Sequence, residues 1–175
     1  RQYEQSLQHI KQAFMVYRNI GDTRGEGNCL GCLGPVYAEI GQLTQAIDVI
    51  TQAKEISREL RDRRFEGVQL GNLGHVYMEQ GSIELAIECY LQAMAISREQ
   101  IDPFNEVSLL VNLGIAYCRV DKILTAINYY QLALEKARQI SDKNAEGGCL
   151  ANLAFAYISQ YNLPKAARFA NLALK

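Results

Sequence analysis

Residues 70–77 read Leu70-Gly71-Asn72-Leu73-Gly74-His75-Val76-Tyr77, and four of them return at a spacing of 40. Leu70, Leu73, Gly74 and Tyr77 are preceded by Leu30, Leu33, Gly34 and Tyr37 and followed by Leu110, Leu113, Gly114 and Tyr117. A further copy reads Leu150, Leu153, Ala154 and Tyr157. Self-similarity at a fixed period of this length marks a stacked array in which each unit packs on its neighbours. Steps of three and four between apolar positions are the period of an α-helix. No segment alternates with period two, so the expected class is all-α.

One period can be read as chemistry. Asp22 is a good N-cap, and Glu26 puts negative charge in the first turn, where the helix dipole favours it. Leu30, Leu33 and Tyr37 then mark one helical face, and Gly41 ends this first helix. Leu43, Ala46, Ile47, Ile50, Ala53 and Ile56 mark a second helix running to about Arg61. The plan restarts at Asp62, Asp102 and Asp142, with Pro103 as a specific start signal at the first helical position. Small residues recur on the second helices at Ala46, Ala86, Ala126 and Ala166, and again at Ala53, Ala93, Ala133 and Ala173, where they allow close helix approach. The repeats therefore read as 22–61, 62–101, 102–141 and 142–175, the last incomplete. Ile10 and Ala13 lie one period before Ile50 and Ala53, so residues 1–21 read as the second helix of a truncated preceding repeat. All of it forms one solenoid domain, read as a piece of a longer protein because it begins at Arg1 and stops inside a helix.

Composition excludes several function classes. Eighteen basic residues against 19 acidic ones leave a net charge of −1, which is no footprint for nucleic acid. No apolar run approaches the roughly 20 residues of a membrane helix, and no signal peptide is visible. The odd number of cysteines, Cys29, Cys32, Cys89, Cys118 and Cys149, fits buried free thiols in a reducing cytoplasm better than disulfides. Cys29-x-x-Cys32 has no second pair to complete a zinc site, so no metal is expected. Cys149 stands three periods after Cys29, which makes that column a packing position. His9 and His75 have no nucleophile and carboxylate arranged around them, and no phosphate-cradling loop is present. No catalytic residue and no cofactor is expected; the chain does not read as an enzyme.

The pattern Leu-x-x-Leu-Gly-x-x-Tyr, then Ala-x-x-x-aromatic-x-x-Ala, resembles the tetratricopeptide repeat over essentially the whole chain. The chain departs from it in having no Trp, with Leu30, Leu70, Leu110 and Leu150 at the usual aromatic position, and in having Arg58, Arg98 and Arg138 where a Pro is usual. The period of 40 is similar to that of kinesin light chain and the Leu-Gly-Asn-repeat scaffolds, and to sensor regions of bacterial signalling ATPases. The resemblance implies a right-handed α-solenoid of antiparallel helix pairs. It further implies a protein-interaction module that binds an extended peptide or helix of a partner protein in a concave groove. The alternative is a regulatory or sensor segment of a larger ATPase, transcription regulator or protease.

On that resemblance Tyr37, Tyr77, Tyr117 and Tyr157 face the partner helix, and Cys32, Asn72, Asn112 and Asn152 face the groove. An Asn amide offers both donor and acceptor and so matches a peptide backbone; alternatively each Asn caps a neighbouring carbonyl or is solvated. One turn further lie Pro35, His75, Ile115 and Phe155, then Glu39, Glu79, Arg119 and Ser159, a mixed groove. Gly31, Gly71 and Ala151 either open room for a ligand backbone or let helices touch, and Pro35 is expected to kink its helix. Arg18, Arg58, Arg98 and Arg138 each stand four residues before an Asp and can pair with it. Ala170 replaces the aromatic of Tyr90 and Tyr130, which should thin the packing there, and uncapped ends should allow self-association.

Overall fold

The structure, a computed structural model, describes residues 2–174. Among these residues the chain forms nine α-helices: α1 (Gln2–Ile20), α2 (Thr23–Glu39), α3 (Leu43–Glu59), α4 (Arg63–Gln80), α5 (Ile83–Glu99), α6 (Pro103–Arg119), α7 (Ile123–Gln139), α8 (Lys143–Ser159) and α9 (Leu163–Ala173). The helices that open each pair are capped as their sequence suggests. Asp22, Asp62, Asp102 and Asp142 accept from the amides of Gly25, Phe65, Asn105 and Ala145 at 2.9–3.1 Å. Pro103 occupies the first turn of α6, where its missing amide costs nothing. α2 runs through Pro35 as one helix, so the expected kink does not break it.

Every junction between helices turns through one residue in the left-handed region, at positions 21, 41, 61, 81, 101, 121, 141 and 161. At α4 the end is of the Schellman type, with the Gly81 amide on the Met78 carbonyl and the Ser82 amide on the Tyr77 carbonyl. Only three of these positions are Gly. The second helix of the first pair consequently ends at Glu59, with Arg61 already in the turn at φ 54°, rather than running to Arg61. Ile101 is the costly case. It is β-branched, 87% exposed, and held at φ 53°. Ile101→Gly should therefore stabilise the protein by about 0.5–1 kcal/mol, because the left-handed penalty exceeds the added chain entropy of Gly. In a thermal melt this is a rise of about 2 °C; a fall would mean that the Ile101 side chain makes stabilising contacts.

The chain divides into two compact units, Arg1–Ile96 and Ser97–Lys175. In the first unit the helix pairs run antiparallel. Gly27 of α2 lies against Ile56 of α3, and Gly34, further along α2, lies against the earlier Ile50. The core gathers Leu33, Tyr37, Ala46, Ile50, Leu73 and Val76, with Leu7 and Ile10 of α1 packed on it. In the second unit Leu110, Leu113, Ala116, Ala126, Tyr130, Ala133, Cys149 and Leu153 are buried. The alanine columns do what small residues should: Ala46, Ala86 and Ala126 are wholly buried, as are Ala53, Ala93 and Ala133.

The repeated Gly and the residue on its partner helix form one steric unit. A Cβ on Gly34 would stand under 3 Å from Ile50, one on Gly74 under 3 Å from Tyr90, and one on Gly114 under 3 Å from Tyr130. At the fourth copy Ala154 carries that Cβ, and the partner position holds the small Ala170. Ala170 is exposed there, while Ala154 is buried. A second complementary pair sits at the N-terminal end, where the Tyr17 ring lies over Gly25 so closely that no Cβ fits.

The arginine ladder pairs differently from the expectation. Arg58, Arg98 and Arg138 donate through Nε to Glu66, Glu106 and Glu146 at 2.7, 2.9 and 2.7 Å, eight residues on, rather than to Asp62, Asp102 and Asp142. Each aspartate gives one oxygen to its cap, Asp62 also accepting from Arg24 at 3.0 Å, and the glutamates lie one helical turn further in. Each glutamate takes a second cation, from Arg63, Lys136 and Lys143 respectively. The Arg58 and Arg138 contacts thus tie α3 to α4 in the first unit and α7 to α8 in the second.

Candidate functional site

The first helix of each pair, α2, α4, α6 and α8, carries the residues singled out by the repeat. Leu33, Leu73, Leu113 and Leu153 turn inward and are buried. The helical step places the residue before each of them at the edge of the buried face. Asn72, Asn112 and Asn152 are accordingly half-buried, whereas Cys32 is exposed. None of the three Asn amides has a hydrogen-bond partner among the described residues. Capping of a neighbouring carbonyl is therefore not their job, and each keeps its donor and acceptor for water or a ligand.

One turn on, Pro35, His75, Ile115 and Phe155 are exposed, Phe155 to 65%. Beyond them Glu39, Glu79, Arg119 and Ser159 are exposed as well. Within the first unit the structure brings several of these together: Pro35 and Glu39 of α2, Asn72 and His75 of α4, and Ile50 of α3 line one cleft of about 170 Å³. His75 Nε2 lies 3.3 Å from Glu79 Oε1, and Glu39 Oε2 accepts from the Tyr3 hydroxyl at 3.4 Å. Within the second unit Asn112 and Ile115 lie on α6, Asn152 and Phe155 on α8, and these two helices touch.

The tyrosine column packs on the partner helices. Tyr117 stacks on Tyr129 with ring centroids 5.3 Å apart, and Tyr157 stacks on Phe169 at 5.5 Å. Gly31 lets helices touch: a Cβ there would press on Phe65 and Gln69 of α4 at 3.0 Å. Gln69 Oε1 is buried with no partner among the described residues, a feature that the packing role of its column, with Cys29, Leu109 and Cys149, gave no sign of.

The thiols correct one expectation. Cys29 and Cys149 are buried, but Cys89 and Cys118 are half-buried and Cys32 is exposed, since position 32 belongs to the outer edge of the helix and not to its core face. Burial pushes Cys149 up to about 11 and raises Cys29, which keeps both protonated and unreactive at neutral pH. Among the described residues no three His, Cys, Asp or Glu side chains gather as metal ligands. No helix there is long and apolar enough to cross a membrane.

Comparison with known proteins agrees with this geometry. Residues 68–135 match the tetratricopeptide repeat family model. No curated protein matches the chain. Among solved structures, BtubC from P. vanneervenii superposes with a TM-score of 0.86 at 20% identity, covering 98% of this chain and 72% of that one. A putative kinesin light chain with nearly identical TPR-like repeats from Podosopora anserina gives 0.82 at 14% identity, over 98% and 85% of the two chains. A signal transduction ATPase with numerous domains and a tetratricopeptide repeat sensor, from Pyrococcus horikoshii, gives 0.89 at 22% identity, over 98% of this chain and 26% of that one. Residues 68–135 thus match the tetratricopeptide repeat family, and the whole all-α chain shares the fold of these repeat structures.

Proposed function

We propose that the chain is a protein-interaction module, holding an extended segment of a partner protein along its first helices. The observation that carries this reading is the set of Asn72, Asn112 and Asn152, half-buried at one register and lacking hydrogen-bond partners among the described residues. Asn is a mediocre residue inside a helix, so the fold gains nothing from it there. Ile115 and Phe155 supply apolar contact beside two of these amides. Cys32 offers no comparable donor and acceptor pair, so the N-terminal end contributes less backbone recognition. Free thiols throughout suit a cytoplasmic setting.

The test uses peptides of twelve residues selected from a random display library on the purified chain. Replacing Asn112 and Asn152 together with Ala should weaken the selected peptides about tenfold, from two lost hydrogen bonds of roughly 0.5–1.5 kcal/mol each. Melting should stay level or rise slightly, since Ala is the better helix former. Unchanged affinity would sink the reading.

A second reading is a sensor segment within a larger signalling protein, favoured by the likeness to an ATPase that carries a tetratricopeptide repeat sensor. A P-loop or DNA-binding motif in sequence flanking this chain would support it.

A further inference from the structure

The cleft in the first unit has a composition that selects one kind of occupant. Its floor is apolar: Ala38, Ile50 and Val76 are buried, and Pro35 closes one side. Its rim is polar, with Glu39 from α2 and Asn72 and His75 from α4, and Glu79 beside His75. At about 170 Å³ it is smaller than the roughly 300–1,000 Å³ of a small-molecule site, and suits a single side chain.

The rim charges set its preference. Glu66, Glu106 and Glu146 each hold two cations from neighbouring helices. Glu39 and Glu79 differ, because among the described residues Glu39 meets the Tyr3 hydroxyl, Glu79 meets the His75 imidazole and lies near the Tyr90 phenol, and neither meets an Arg or Lys. One carboxylate without an Arg or Lys partner, Glu39, thus stands at the mouth of an apolar slot, and a second, Glu79, lies one turn beyond the rim residue His75. A long basic side chain matches this arrangement, because its methylenes cover apolar surface while its charged head stays at the wet end. An acidic or purely aliphatic side chain would leave those carboxylates repelled or uncompensated.

We propose that the cleft between α2 and α4 is a pocket for a lysine or arginine side chain carried by the bound partner segment. The proposal rests on the peptide-binding reading above and names the first chemical preference of that surface. Asn72 orients the backbone that delivers the side chain, and Glu39 and Glu79 take its charge.

The experiment titrates N-acetyl-lysine methylamide, and separately N-acetyl-norleucine methylamide, into the isotope-labelled chain and follows backbone amide shifts. The lysine probe should move the amides of Ala38, Glu39, Asn72, His75 and Val76 together. It should bind about threefold or more tighter than the norleucine probe, the scale of two exposed charge contacts. E39Q/E79Q should remove that preference, whereas N112A/N152A should leave it intact. Equal binding of the two probes, shifts scattered outside the cleft, or a preference that survives E39Q/E79Q would overturn the proposal. If the lysine probe fails while selected peptides still respond to N112A/N152A, the pocket is wrong and the interaction module stands. If the lysine probe succeeds while those peptides ignore N112A/N152A, the pocket stands and the Asn reading is wrong.

Discussion

Gly114→Ala should lower the stability of the protein by about 1–3 kcal/mol, the usual cost of forcing a methyl into a filled core. The added Cβ would stand under 3 Å from Tyr130 ring carbons. That ring cannot step aside: Tyr130 is 3% exposed, and its hydroxyl sits 3.8 Å from Cys118 Sγ. Burial there raises the phenol well above its ordinary value, so the hydroxyl stays protonated. Tyr130→Ala alone should cost more, about 3–5 kcal/mol for an emptied aromatic site. The informative measurement is the pair. In G114A/Y130A the new methyl enters space that the ring has left, so the double variant should be no less stable than Y130A. Denaturant melts of the four proteins give the coupling, expected at about 1–3 kcal/mol. Additive losses would mean that the Gly is needed for its backbone and not for the room it leaves. In the sequence the fourth copy has Ala154 and Ala170 at the positions of Gly114 and Tyr130.

The second large effect should appear in acid. Burial tends to raise the Glu66 and Glu106 carboxyls, but hydrogen bonds from Arg58 and Arg63, and from Lys136 and Arg98, outweigh it and hold both below the ordinary value. A carboxyl whose folded pKa is depressed contributes stability that is fully present above its unfolded value, about 4.3. That contribution is lost as pH falls through the lower folded value. The native protein should therefore lose melting temperature steeply below about pH 4.5, the region of the unfolded value. E66Q/E106Q should start lower at neutral pH, by about 1–2 kcal/mol per site, since each carboxylate is buried while its cations are half-exposed and can be rehydrated. Its acid slope should be shallower, so the two curves converge as pH falls through the lowered folded values. Parallel curves would show that these ion pairs add nothing to the stack.

How much of this was legible in advance depends on whether a column's job is local or shared. Asp22, Asp62, Asp102 and Asp142 act within one helical turn, so their capping role is readable from spacing alone, and the structure has all four capping. The Tyr column needs one further step, a partner helix, and the repeat supplies it. The arginine ladder was not legible in this way, because proximity in sequence points to the Asp, whereas the turn brings Glu66, Glu106 and Glu146 within reach. The candidate site was legible as a register. Spacing by 40 puts the three Asn in one column, but nothing in the letters says that they lack partners.

The sequence by itself determined the helices, their order and their inward faces, because caps, periodicity and small-residue columns each act over a few residues and repeat without contradiction. Only the tertiary structure decided which Gly must be Gly, since that depends on a ring 16 residues away at Tyr90 or Tyr130. It also decided that Ile101 would be held with positive φ, and that Glu39 would stand at an apolar cleft, with Glu79 one turn beyond it, neither having an Arg or Lys partner among the described residues. Those outcomes rest on distances between helices, which repeat spacing constrains and does not contain.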